Sequence, residues 1–204
     1  MDDLHKALGD IGSIRRQVAS NTQFRGYGPA TLAATGLFAF SAAALQRLWL
    51  PDPAHRISSY LLLWISTGVL SSVLAVTHMF RRSRRIHSAI SNEMIHMAVE
   101  QFMPAVAAGV LLTVVFLRAL PHAVWMLPGL WQVVFSLGIF SSCRFLPRPI
   151  FVAGAWYLLA GLVCIGLAGP QALSPWAMGI PFGVGQLLVA AILFFSPQEG
   201  ADEN

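Results

Sequence analysis

Charge is what the long apolar runs of this chain lack. Pro149 to Gln198 contains no Asp, Glu, Lys or Arg, and four further charge-free segments precede it. Soluble domains carry about 25% charged residues, whereas this chain carries 11% against 56% hydrophobic, with a mean hydropathy of +0.64. That balance excludes an ordinary soluble domain. Two cysteines exclude a disulfide framework; Cys143 is expected near the inner face and Cys164 towards the outer end of the fifth span, too far apart to pair, and both read as small core residues. Also missing are a Gly-rich phosphate loop, His-Glu-x-x-His, Gly-x-Ser-x-Gly and Cys-x-x-Cys. No Asp, Glu, Lys or Arg sits midway along an apolar run. Transport coupled through an intramembrane carboxylate is thereby disfavoured, as is serine hydrolysis at depth, which needs a positioned base. The chain is read as non-enzymatic and without a cofactor, while a passive pore or scramblase-like path stays open.

What is present is length. A hydrocarbon core of about 30 Å takes roughly 20 apolar helical residues. Six segments are read as spans, the third of them shorter than the rest: Gly28 to Leu48, Ile57 to Phe80, Phe102 to Leu117, Val124 to Cys143, Pro149 to Ala168, and Trp176 to Ser196. The runs are continuously apolar rather than alternating, and a spanning sheet would have to close into a barrel. The expected fold is all-α, a polytopic transmembrane bundle of six spans. Pro104 is placed in the first turn of the third span, where a missing amide is harmless. The polar N-terminus does not resemble a cleavable signal, so the first span is expected to stay.

Orientation follows from Lys and Arg, which accumulate in cytoplasmic segments. With the N-terminus inside, the inner side holds Lys6, Arg15, Arg16, Arg25, Arg81, Arg82, Arg84, Arg85, Arg144 and Arg148, and the outer side only Arg47, Arg56 and Arg118. The expected topology is N-in and C-in. Residues 1–26 form a cytoplasmic amphipathic segment, 27–197 the membrane domain, and 198–204 an acidic cytoplasmic tail. The net charge of +4 is explained by this bias, and no element that reads nucleic acid is present. Arg81, Arg82, Arg84 and Arg85 are candidates for contact with anionic lipid headgroups, at about 1 kcal/mol each near the surface.

Outside the spans, Leu4, Leu8, Ile11, Ile14 and Val18 recur at helical spacing with polar residues between them. Such a helix lies on the membrane interface, or docks a protein partner or a second copy through residues 3–18, where Leu4, Ile11 and Val18 keep a short heptad spacing. Ile86, Ile90, Met94 and Met97 form a second stripe, so the loop after the second span is expected to be helical and to run on into the third. Glu93, His96 and Glu100 line one side of it. One Glu-x-x-His set is a weak metal candidate, because metal sites of this kind take matching sets from two helices; a solvated face with local ion pairing is the preferred reading. Haem ligation would need histidines on facing helices, for which only His78 with His96 qualifies.

Within the spans the most central polar residues are Gln132 and Gln186. Buried amides need partners, so these two either bond between helices, at about 0.6 to 2 kcal/mol, or line a small-molecule cavity with Trp131; packing is preferred. The spacing of Gly179 with Gly183, and of Gly154, Gly161 and Ala168, lets backbones approach, within the last two helices or in a homo-oligomer. Pro181 is positioned to kink the sixth span and free a carbonyl for a neighbour. The hydroxyls of Ser66, Thr67, Ser71 and Ser72 place the second span against protein.

The stretches Phe24-Arg25-Gly26-Tyr27-Gly28, Phe102-Met103-Pro104 with Ala108 to Thr113, and Leu127-Pro128-Gly129-Leu130-Trp131 resemble those of a group of small six-helix bacterial integral membrane proteins of unknown function, often encoded beside winged-helix regulators. The resemblance implies a bacterial inner-membrane location and a cytoplasmic face that meets a regulator or a stress signal; it implies no activity. The leading reading is a non-catalytic scaffold, sensor or accessory subunit. The runner-up is a small transporter or lipid-handling protein with a midplane cavity at Trp131, Gln132 and Gln186, and the third a metal or haem membrane enzyme.

Overall fold

The computed structural model describes residues 28–86, 89–143 and 149–195; the side chains at 80, 82–86, 89–96, 98 and 170 lie outside that description. Among the described residues the chain forms six α-helices, two 3-10 turns and no strand. The helices are α1 (Pro29–Trp49), α2 (Ile57–Ile86), α3 (Ala89–Ala119), α4 (Leu127–Ser142), α5 (Ile150–Gly166) and α6 (Pro175–Phe195). Five helical stretches are long and apolar enough to cross a membrane, and α5 is a shorter apolar helix.

Local chemistry sets the ends. Gly28 is extended and Pro29 opens α1, where its missing amide and fixed φ suit the first helical position. Pro51 and Pro53 keep the following segment from continuing it. The fourth span departs from expectation by starting as a 3-10 stretch, Pro121–Met126. Pro128 has no amide to give the Val124 carbonyl, which takes the Leu127 N–H instead, three residues on rather than four. Helix α5 stops before Ala168, which with Gly169 adopts positive φ (50° and 67°); Ala168 thus lies outside the helix whose stripe it was expected to extend.

The third span needs a correction. Helix α3 is 31 residues long with Pro104 in its interior, because the amphipathic stretch before the span is helical and continuous with it. Pro104 is therefore not in a first turn, and the Glu100 carbonyl loses its helical donor. The neighbouring Gln101 carbonyl takes a hydrogen bond from Ser141 Oγ on α4 at 3.2 Å.

Successive helices run antiparallel: Gly28 at the start of α1 lies against His78 late in α2, while Gln46 late in α1 meets Trp64 early in α2. Each helix touches the next and α6 returns to α1, closing a ring. Contact is extensive for α1 with α6 and for α4 with α5, and slight for α2 with α3. The core gathers at the end opposite Arg81, from Ala42, Ala43, Leu50, Tyr60, Leu61, Trp64, Val124, Leu127, Leu173 and Met178. Nearer the middle, four rings from four helices interlock: Phe135 has centroid separations of 5.3 Å to Phe102, 4.8 Å to Tyr157 and 5.5 Å to Phe182. Tilted and edge-on rings at these distances contribute about 0.5–1.5 kcal/mol per pair beyond area burial.

The middle of α2 contradicts the expectation that its hydroxyls face protein. Ser66 and Ser72 are exposed, Thr67 and Ser71 only partly covered. Ser66 Oγ and Thr67 Oγ1 donate to the Leu63 carbonyl in their own helix, which satisfies a hydroxyl without a neighbouring helix.

Candidate functional site

Gln132 is fully buried, level with the first turn of α6. Its amide Nε2 donates to the Ala177 carbonyl on α6 at 2.8 Å and approaches Met178 Sδ at 3.7 Å. That carbonyl is the one Pro181 leaves without a donor, since residue 181 would ordinarily supply the amide four residues on. A glutamine on α4 thus completes the backbone of α6. Its Oε1 has no hydrogen-bond partner among the described residues.

The other two central candidates go elsewhere. Trp131 Nε1 donates to Thr113 Oγ1 at 2.9 Å, and that hydroxyl donates to the Gly109 carbonyl at 2.7 Å, tying α4 to α3. Gln186 is half-buried on α6, its Cβ facing Gly36 of α1, and no hydrogen bond joins it to Gln132. The Tyr157 hydroxyl lies beside Gly185. Trp131, Gln132 and Gln186 therefore contact three different helices, α3, α6 and α1.

A residue the sequence did not single out does comparable work. Gln46 is fully buried; its Oε1 accepts from Trp64 Nε1 and its Nε2 donates to the Leu173 carbonyl, both at 2.8 Å. One amide joins α1, α2 and the 3-10 turn before α6. Trp156 Nε1 donates to the Pro181 carbonyl at 3.0 Å, joining α5 to α6. In a medium with no competing water, ties of this kind each contribute about 0.6 to 2 kcal/mol.

Among the charged candidates, Arg81 and Glu100 are exposed. The side chains of Arg82, Arg84, Arg85, Glu93 and His96 lie outside the described residues, as does the whole segment 3–18 and the tail 198–204. Among the described residues no three His, Cys, Asp or Glu side chains converge as metal ligands. Cys143 and Cys164 are free thiols, and Cys164 Sγ faces the Ala172 carbonyl at 3.7 Å.

Two recesses open at the end opposite Arg81. One, of about 470 Å³, is lined by Arg47, Asp52, Ser174 and Pro175 among others; the second, of about 370 Å³, lies between α1 and α2. Beside the first, His55 Nδ1 donates to Asp52 Oδ2 at 2.8 Å, and this bond holds the Asp52 carboxyl below its ordinary value of 3.8. A depressed carboxyl stabilises the fold above its unfolded pKa and loses that contribution as pH falls through the folded one. With 86% and 62% of these side chains exposed, water screens the pair, so Asp52→Asn is expected to leave the unfolding midpoint at pH 7 unchanged in a thermal melt.

No family model, curated protein or solved structure matches the chain.

Proposed function

We propose that this chain is a six-span protein of the bacterial inner membrane, N-in and C-in, that acts without catalysis as a scaffold, sensor or accessory subunit. The observation that carries the reading is the helical hairpin formed by α2 and α3. These helices have 30 and 31 residues, while their apolar stretches, Ile57–Met79 and Val99–Ala119, have 23 and 21. At 1.5 Å per residue, each helix continues roughly 10 to 15 Å beyond its apolar part. Both extensions leave on the same side, and they carry Arg81, Arg82, Arg84, Arg85, Glu93, His96 and Glu100 in sequence.

The two hairpin helices also touch each other little, whereas α1 with α6 and α4 with α5 form the extensive contacts. A well-tied body bearing a long, lightly packed hairpin suits reception of a signal or partner better than it suits chemistry. Helix α5, at 17 residues, reaches about 25 Å, the short end of the spanning range, and completes six spans. The excess of Lys and Arg supports a cytoplasmic hairpin tip. There the resemblance to membrane proteins encoded beside winged-helix regulators favours a regulatory partner.

The test combines topology with function. Reporters inserted at 87–88 and fused after Asn204 are expected on the cytoplasmic face, and one inserted before Pro121 outside. Replacing Arg81, Arg82, Arg84 and Arg85 by Gln, which leaves Lys6, Arg15, Arg16, Arg25, Arg144 and Arg148 to hold the orientation, is expected to reproduce the phenotype of removing the protein, with the chain still inserted and its melting midpoint unchanged. Full complementation by that variant would refute the role assigned to the basic face.

A further inference from the structure

We infer that the recess between α1 and α2 is a binding site for one phospholipid, with the phosphate at Arg56 and an acyl chain along α2. This inference rests on the membrane-spanning reading. The recess holds about 370 Å³; its lining includes apolar Leu45, Trp49, Leu62 and Leu63, with Arg56 at one end and Ser66 at the other. Arg56 precedes the first turn of α2 and is exposed. Among the described residues it makes no ion pair, since Asp52, the nearby carboxylate in sequence, bonds His55. A cation of this kind at the polar end of an apolar groove complements a phosphodiester and leaves the chains to the apolar wall.

The dimensions agree. From Arg56 to Ser66 is ten residues, or about 15 Å along a helix, half the thickness of a hydrocarbon core. The groove therefore runs from headgroup level to the midplane of one leaflet. The wall continues beyond the recess as Ile65, Val69 and Val73, all exposed. Trp49, 75% exposed at the end of α1, stands where indoles settle between chains and headgroups. The floor is fixed rather than adaptable, because Gln46 is held by Trp64 and by the Leu173 carbonyl. A free anion would engage Arg56 but leave the apolar wall uncovered, and an uncharged lipid would do the reverse.

The experiment is native mass spectrometry of the detergent-purified full chain titrated with phosphatidylglycerol, diacylglycerol or inorganic phosphate. A 1:1 adduct is expected with phosphatidylglycerol alone. Arg56→Gln is expected to weaken it at least tenfold, and Ser66→Trp, which fills the groove from an exposed position, by a similar factor; Ser59→Phe serves if either variant fails to elute as a folded monomer. Equal retention by wild type and variants would overturn the site. So would equal binding of inorganic phosphate or diacylglycerol, or a protein dimer that Ser66→Trp abolishes, since a second copy would then occupy the groove. Carbonate extraction separates the two levels of failure: a chain released from membranes refutes the spanning reading, whereas a retained chain without the adduct refutes only the lipid site.

Discussion

Gly161→Val is expected to destabilise the protein by about 3 kcal/mol, the upper end of the usual overpacking range, with a matching fall in the denaturant midpoint in detergent. Helices α4 and α5 cross with their backbones in contact. A Cβ at Gly161 would stand 2.7 Å from the Gly129 carbonyl oxygen and 2.9 Å from Val133 Cγ2, and a Cβ at Gly129 would stand 2.6 Å from the Gly161 oxygen. A carbonyl cannot rotate away as a side chain does, so the helices must separate, and the contacts of Phe135 with Tyr157 loosen with them. The control is Gly109→Ala: a Cβ there meets nothing within 4 Å, and removing a helical glycine gains roughly 0.5 to 1 kcal/mol. If the two substitutions behave alike, the close α4–α5 crossing is wrong.

That crossing also shows where sequence reading stops. The apolar runs located the helices because hydrocarbon imposes their length and forbids charge within it, and the observed ends of α1 and α6 fall within one residue of those expected. A small residue, in contrast, says that something comes close and not what. Gly179 and Gly183 accept Ala43 and Phe40 of α1, and Gly154 and Gly161 accept Phe140 and Gly129 of α4. The last two helices meet instead at Gly185 and Tyr157. Partner choice depends on the closing of the ring between α1 and α6, which no local spacing encodes.

Gln46 is illegible in the sequence for a related reason. It stands next to Arg47 near the end of its span and so reads as an interfacial polar residue; only the arrival of Trp64 and Leu173 from distant parts of the chain makes it interior. The aromatic cluster gave no signal, because Phe in an apolar run looks the same against lipid as against Tyr157. The long hairpin was partly legible, since the stripe Ile86 to Met97 predicted helix between the second and third spans. Counting from Phe102, where the apolar run begins, puts Pro104 in a first turn, whereas counting from Ala89, where the helix begins, puts it in the interior.

Two features read separately in the sequence, the Gln132 amide and the carbonyl that Pro181 frees, turn out to be a single unit, and a double-mutant cycle measures it. Gln132→Leu in the wild-type background removes the donor at 2.8 Å from the Ala177 carbonyl and leaves that part-buried oxygen without a partner; the expected loss is about 1 to 2 kcal/mol. Pro181→Ala restores an amide at position 181, so the α-helical bond to Ala177 can form within α6. In that background the Gln132 amide is no longer required, and because Oε1 is already unpartnered, Gln132→Leu should cost nothing or stabilise. The coupling energy between the two sites is therefore expected at about 1 to 2 kcal/mol, well outside the roughly 0.3–0.5 kcal/mol scatter of independent sites. Equal costs in both backgrounds would show that Gln132 does not complete the backbone of α6, and would return its amide to the ligand-binding reading set beside packing at the outset.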